Sequence, residues 1–207
     1  MNLTELQREL RTIGNKVSEL QDAVEQMKPN QNDERINEYK VITNVAAKYP
    51  LNRGLDKENQ STKDLYIKAI TGIALMGEGH MREKLTYVSR IAAGIDSQMY
   101  PTERIVEMGL SLDETDIENI FMELDSVKYI FLVDAFVVSY ISGEADKEVL
   151  KLLGEFSAVF GCNIGDVKMI AAAAKGVLTN DYSFLGDIDA WEMMDRFRCF
   201  FTIETYA

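Results

Sequence analysis

Eight apolar residues in the first 27 positions recur at alternating spacings of three and four: Leu3, Leu6, Leu10, Ile13, Val17, Leu20, Val24 and Met27. No polar residue occupies a seam position across these four heptads. The spacing predicts a helix with one narrow apolar stripe, the geometry of a coiled-coil seam. Such a stripe leaves water only by meeting another helix, so it constrains the chain toward assembly. Pro29 should end this helix soon after Met27, because proline cannot continue the hydrogen-bond ladder.

The positions beside the seam decide which partner suits it. With Leu3 as a, the g-to-e pairs of a parallel dimer are Glu9–Gly14, Lys16–Gln21 and Ala23–Lys28, and none attracts. Gly14 also costs up to ~1 kcal/mol of helix stability. A self-dimer would be marginal. Three occupants stay open: another copy, another protein, or the chain's own globular part folded back. The reading favours a protein partner or self in trans.

A second amphipathic stretch runs from Asp33 to Tyr49, with Ile36, Tyr39, Ile42, Val45, Ala46 and Tyr49 marking one face. Residues 50–61 (PLNRGLDKENQS) are polar and read as a linker. Thus 1–29 is expected as a coiled-coil helix, 30–61 as helix and linker, and 62–207 as a helical domain. Periodicity places helices at about 62–77, 82–94, 102–109, 113–124, 126–141, 145–160, 165–178 and 187–201. Alternating apolar-polar runs are absent, so the fold class is all-α: a coiled-coil-like helix followed by a helical bundle.

The bundle repeats itself. Tyr66-Ile67 aligns with Tyr129-Ile130, 63 residues on, and Leu85, Val88 and Ile91 align with Leu150, Leu153 and Phe156, 65 on. Ile105 then matches Ile170. Two units, about 62–124 and 125–185, each hold a helix, a glycine-bearing turn, an antiparallel second helix and a third. The helix at 126–141 is apolar on nearly all sides and should be central. The tail after Asp187 carries Ile188, Trp191, Met194, Phe197, Phe200 and Phe201 at helical spacing and is expected to close the core.

The stretches ALMGEGHMREKLTYVSRIAAGI and VVSYISGEADKEVLKLLGEFSAVFGCNIGDVKMIAAAA carry a further signal. An apolar helix ends in a small turn; a short acidic helix start, a Leu-rich run and a second small-residue turn follow. This pattern resembles the TerB-like (tellurite-resistance-associated) family of bacterial helical domains, in two tandem copies covering about 62–178. The resemblance implies a bacterial cytoplasmic protein, an accessory subunit in a stress-response or phage-defence system. It also implies a metal at the family's turn aspartate. That position is Glu78 in the first copy and Ser142 in the second. Glu78 suits a hard cation, whereas Ser142 supplies no charge. Glu144, Asp146 and Glu148 stand near enough in sequence to compensate, although acids in a first helical turn are also favoured by the helix dipole.

Composition excludes more than it assigns. A net charge of -12 disfavours direct nucleic-acid binding and anionic membrane, since such a chain releases no counterions from a polyanion. The polar N-terminus runs directly into the heptads, so no signal peptide is expected. The longest apolar stretch, Tyr129–Ile141, has 13 residues and contains Asp134, too short for the roughly 20 of a membrane span. Cys162 and Cys199 lie far apart without metal-ligand spacing and fit reduced core thiols. His80, the single histidine, falls in a turn between Gly79 and Met81. MGEGHM lacks the P-loop lysine and follows a helix, and no nucleophile elbow exists.

Asp134 is the acid that needs explaining. Inside YIFLVDAFVVSYI it must be buried, and a buried carboxylate needs a partner. A helix end, a tyrosine hydroxyl or a neighbouring lysine would serve. A catalytic acid at Asp134 is the weaker alternative. The sequence therefore reads as a non-enzymatic interaction or scaffold subunit without a cofactor. The alternative is a metal-binding stress protein using the acidic helix turns.

Overall fold

A computed structural model of the chain describes residues 32–76, 79–141, 143 and 147–181. Those residues form an all-helical bundle of eight helices: α1 (Asn32–Lys48), α2 (Gln60–Met76), α3 (Met81–Asp96), α4 (Thr102–Leu110), α5 (Glu114–Glu123), α6 (Lys128–Tyr140), α7 (Lys147–Val159) and α8 (Ile164–Thr179). No strand occurs among the described residues, and no helix there is long and apolar enough to cross a membrane. The heptad segment and the aromatic tail at 187–201 lie outside the described residues.

Local chemistry sets the helix ends. Asn59 Oδ1 accepts from the Thr62 amide at 3.0 Å at the start of α2. Asp113 with Asp116, and Asn163 with Asp166, form capping boxes that satisfy the first amides of α5 and α8. Pro101 precedes α4, where its missing N–H costs nothing. Asn180, at φ 50, closes α8 in the left-handed region.

The core is organised around two helices. α2 packs on α3, α4, α5 and α6, and it buries residues on nearly every side, from Thr62 to Ala74. α6 packs on α2, α7 and α8, and every residue from Phe131 to Ser139 is buried. The central placement expected for 126–141 is therefore met, and α2 shares it. In α2–α4 and again in α6–α8, the first helix of three packs on the second and the third.

Small residues permit these crossings. A Cβ on Gly109 would lie 2.7 Å from Thr71 Cγ2 and 3.1 Å from the Gly72 amide nitrogen, so α4 meets α2 at a distance only glycine allows. At the α6–α8 crossing, Ala173 and Ala174 are buried and Ala171 is exposed, so half of the alanine run serves as packing.

Two readings of the N-terminal half change. Residues 50–61 were expected as a polar linker, but Leu51, Arg53 and Leu55 are buried while Asn52 and Gly54 between them are exposed. This is a short strap across α3 that turns at Gly54 (φ 72) into a 3-10 turn at Leu55–Lys57. The Leu51 amide donates to the Arg90 carbonyl at 2.8 Å, and Arg90 Nε donates to the Tyr49 carbonyl at 2.7 Å. A Cβ on Gly94 would stand 2.1 Å from the Leu51 carbonyl oxygen, so glycine is what lets the strap lie flat on the helix. The face of α1 also differs from expectation. It buries Ile42 and Ala46 against α3 and α4, with Ile36 and Tyr39 half-buried, but Val45 and Tyr49 remain exposed. The buried face centres on Ile42 and Ala46, and Tyr49 lies past the last helical residue.

Candidate functional site: a buried arginine, aspartate and tyrosine cluster

Four segments converge on one carboxylate. Arg53 comes from the strap, Tyr66 from α2, Tyr87 from α3 and Asp134 from α6. Asp134 is completely buried, and Arg53 is 4% exposed. Arg53 Nε reaches Asp134 Oδ1 at 3.1 Å and Oδ2 at 3.2 Å. The Tyr87 hydroxyl donates to Oδ1 at 2.6 Å, and the Tyr66 hydroxyl donates to Oδ2 at 2.6 Å. Arg53 Nη2 donates to the Tyr87 hydroxyl at 2.8 Å, which closes the ring of bonds. The guanidinium also stands 5.9 Å from the Tyr87 ring centre, within cation–π range.

The electrostatics follow from burial. Desolvation pushes the Tyr66 hydroxyl well above the usual tyrosine range, and the adjacent Asp134 charge pushes it further. Tyr87 is raised the same way, with the Arg53 charge opposing part of the shift. Both phenols therefore stay protonated and act as donors. Burial lowers the Arg90 guanidinium from its ordinary value, and repulsion from Arg53 adds to it.

Each oxygen of Asp134 accepts from one tyrosine, and the single Arg53 Nε–H is shared between the two. A carboxylate offers about four acceptor directions, so little capacity is left for a substrate. A buried ion pair with its remaining valences filled by hydrogen bonds is the arrangement that tolerates removal from water. What the cluster does is join: it ties the strap, α2 and α3 to α6.

A second polar chain lies nearer the surface. The Thr102 amide donates to Thr43 Oγ1 at 2.9 Å, the two threonine hydroxyls bond at 2.9 Å, and Ser89 Oγ lies 3.0 Å from Thr102 Oγ1. It links α1, α4 and α3. Gln60, Asp64 and Tyr100 form a third group. The Gln60 amide donates to both the Asp64 carboxylate and the Tyr100 hydroxyl, and that hydroxyl donates to Asp64.

Of the residues singled out from the sequence, Asp134 finds tyrosine hydroxyls, as expected, and an arginine in place of a lysine. Arg53 was missed. It sat in a stretch read as linker, and the available signal was its place midway between Leu51 and Leu55. His80 is exposed in a left-handed turn, with Nδ1 3.8 Å from the Glu83 carboxylate. Glu148 is exposed in the first turn of α7. Glu78, Ser142, Glu144 and Asp146 lie outside the described residues, as do Leu3, Leu6, Leu10, Ile13, Val17, Leu20, Val24, Met27 and Cys199. Among the described residues, no three histidine, cysteine or acidic side chains gather as a metal site. Cys162 is half-buried, packs against the core and forms no disulfide among the described residues.

Comparison of the chain with protein-family models, with curated proteins and with solved structures finds no match.

Proposed function

We propose that this protein is a non-enzymatic interaction or scaffold subunit, in which the helical bundle is a rigid body and the heptad helix is the docking element. The observation that carries the proposal is the saturation of Asp134. The fully buried acid at the centre of the bundle is spent on joining helices: two tyrosine hydroxyls and the shared Arg53 Nε–H, three donors in all, make four contacts to its two oxygens. That use favours a structural acid over a catalytic one. The seam from Leu3 to Met27 adds an apolar stripe that needs a partner helix. The TerB-like pattern of 62–178 points to a bacterial cytoplasmic setting, as an accessory subunit in stress response or phage defence.

The test is co-purification from the source cells with the full chain and with a seam variant, Leu10→Glu combined with Val17→Glu. Circular dichroism checks that the bundle is retained. A partner held by the wild type and lost by the variant is expected. A set of bound proteins indifferent to the seam would sink the reading.

A further inference from the structure

One flank of α1 carries an apolar ridge with nothing described upon it. Val41, Val45 and Tyr49 stand four residues apart and are 47%, 39% and 53% exposed. The Tyr49 amide donates to the Val45 carbonyl at 3.0 Å, so the ridge continues past the last helical residue. The other large exposed apolar residues among those described, Met122, Tyr140, Ile164 and Leu178, are scattered over α5, α6 and α8. Single exposed apolar residues are ordinary, whereas a helical row of three marks a contact surface.

We propose that residues 10–20 of the heptad seam fold back onto this ridge as an antiparallel helical hairpin, so that the docking element is covered in the resting chain. The covering role rests on the function proposed above; the hairpin itself does not.

Chain geometry selects this occupant. Only residues 28–31 separate Met27 from the first residue of α1, and a helix built on the heptads would end near Pro29. A connection that short forces neighbouring helices antiparallel. In a hairpin turning at Pro29 and Asn30, residues equally far from the turn lie level. Val41 is then level with Ser18, Val45 with Gly14 and Tyr49 with Leu10. The seam residues at those levels are Val17 and Leu20, then Ile13 and Val17, then Leu10 and Ile13. Eight residues of ridge span about 12 Å and ten of seam about 15 Å, so the two stripes match in length. Gly14, unhelpful in a self-dimer, falls opposite Val45, where missing bulk lets two helices approach. The absence of attractive pairs beside the seam disfavours a second copy as occupant. Leu3 and Leu6 extend past the level of Tyr49. They remain as the foothold from which a partner in trans would begin to displace the hairpin.

The experiment uses the full chain with paired cysteines, Val17→Cys with Val41→Cys, oxidised at low micromolar concentration. Peptide mapping identifies the bond and a non-reducing gel its topology. Leu3→Cys with Val41→Cys is the control. An intrachain 17–41 disulfide in more than half of the molecules, and little in the control, is expected. Covalent dimers would assign the ridge to a second copy, and absence of the bond would leave it uncovered; either overturns the hairpin. With a partner from the co-purification in hand, Val41→Glu with Val45→Glu should raise its affinity by roughly tenfold or more, because the cover is weakened. Unchanged affinity would overturn the covering role. An intrachain bond in a chain whose seam holds no partner would keep the hairpin and remove the proposed function. A seam-dependent partner without that bond would do the reverse.

Discussion

The two three-helix units, α2–α4 and α6–α8, place their helices in the same order but hold them with different chemistry. In the first unit, polar bonds cross between elements. Ser89, Thr102 and Thr43 link α3, α4 and α1, and the strap bonds to Arg90. In the second, Ser139 and Ser157 return their hydroxyls to carbonyls of their own helices, and rings do most of the joining beside one bond from Lys128 Nζ to the Phe160 carbonyl at 3.2 Å. Phe131 meets Phe156 and Phe160 with ring centres 6.2 Å and 6.1 Å apart, and Phe121 of α5 meets the same two at 5.3 Å and 5.1 Å. The repeat alignment sets Thr71 of α2 level with Asp134 of α6. Thr71 bonds to the Ile67 carbonyl within its helix, whereas Asp134 binds three other segments. Two positions paired by the sequence alignment thus do different work, because one of them meets Arg53 from the strap.

That contrast is open to direct attack. The largest effect should come from Asp134→Ala, which leaves the Arg53 charge buried without its counter-ion and should cost about 3–5 kcal/mol in urea unfolding. Thr71→Val, which keeps shape and removes only a locally bonded hydroxyl, should cost less than ~1 kcal/mol. Equal losses at the two positions would erase the distinction. Asp134→Leu combined with Arg53→Met should lose much less than the two single changes added together, since no orphan charge remains.

Alkali should find the same junction. Tyr66 and Tyr87 have folded pKa values raised above the unfolded value of about 10. The folded chain therefore holds those protons more tightly than the unfolded one. Their contribution to stability is whole below about pH 10 and is lost as pH rises through the window toward the folded values. The slope should be about 1.4 kcal/mol per pH unit for each tyrosine. Tyr66→Phe should remove one tyrosine's share of the steepness in unfolding measured above pH 10, where Tyr100 and Tyr39, raised by burial as well, add shares of their own, and an unaltered slope would show that Tyr66 is not responsible.

The helix crossings offer a smaller and opposed pair. Gly109→Ala should cost about 1–3 kcal/mol by forcing a methyl against Thr71. At the aligned place in α8, the residue is already alanine, and Ala174→Gly should cost about 1 kcal/mol through helix propensity. Smallest of all, Ile164→Lys at the exposed start of α8 should shift stability by less than ~0.5 kcal/mol. A larger loss there would mean that the second unit hides a contact surface of its own.

Helix identity was legible from spacing because an amphipathic period is a local property. α2 to α8 fall within a few residues of the expected spans. The strap was not legible. Leu51, Arg53 and Leu55 turn inward around the left-handed Gly54 and the 3-10 turn that follows it, but the middle inward residue is charged, so the stretch reads as polar linker. The burial of Asp134 was forced by its apolar neighbours and a hydroxyl partner was foreseeable. Which tyrosines turn toward it was not, since Tyr66 and Tyr87 lie 68 and 47 residues away.

The sequence by itself determined an acidic, all-helical chain, its helix boundaries, the centrality of 126–141 and the demand that Asp134 find donors. These follow from periodicity, caps and the cost of burying charge, each acting over a few residues. Only the tertiary structure decided that Arg53 answers Asp134, that Gly94 lets the strap lie across α3, and that Val41, Val45 and Tyr49 are left facing outward. Those outcomes depend on which surfaces meet at long range, and a buried ion pair is specified by both of its ends at once.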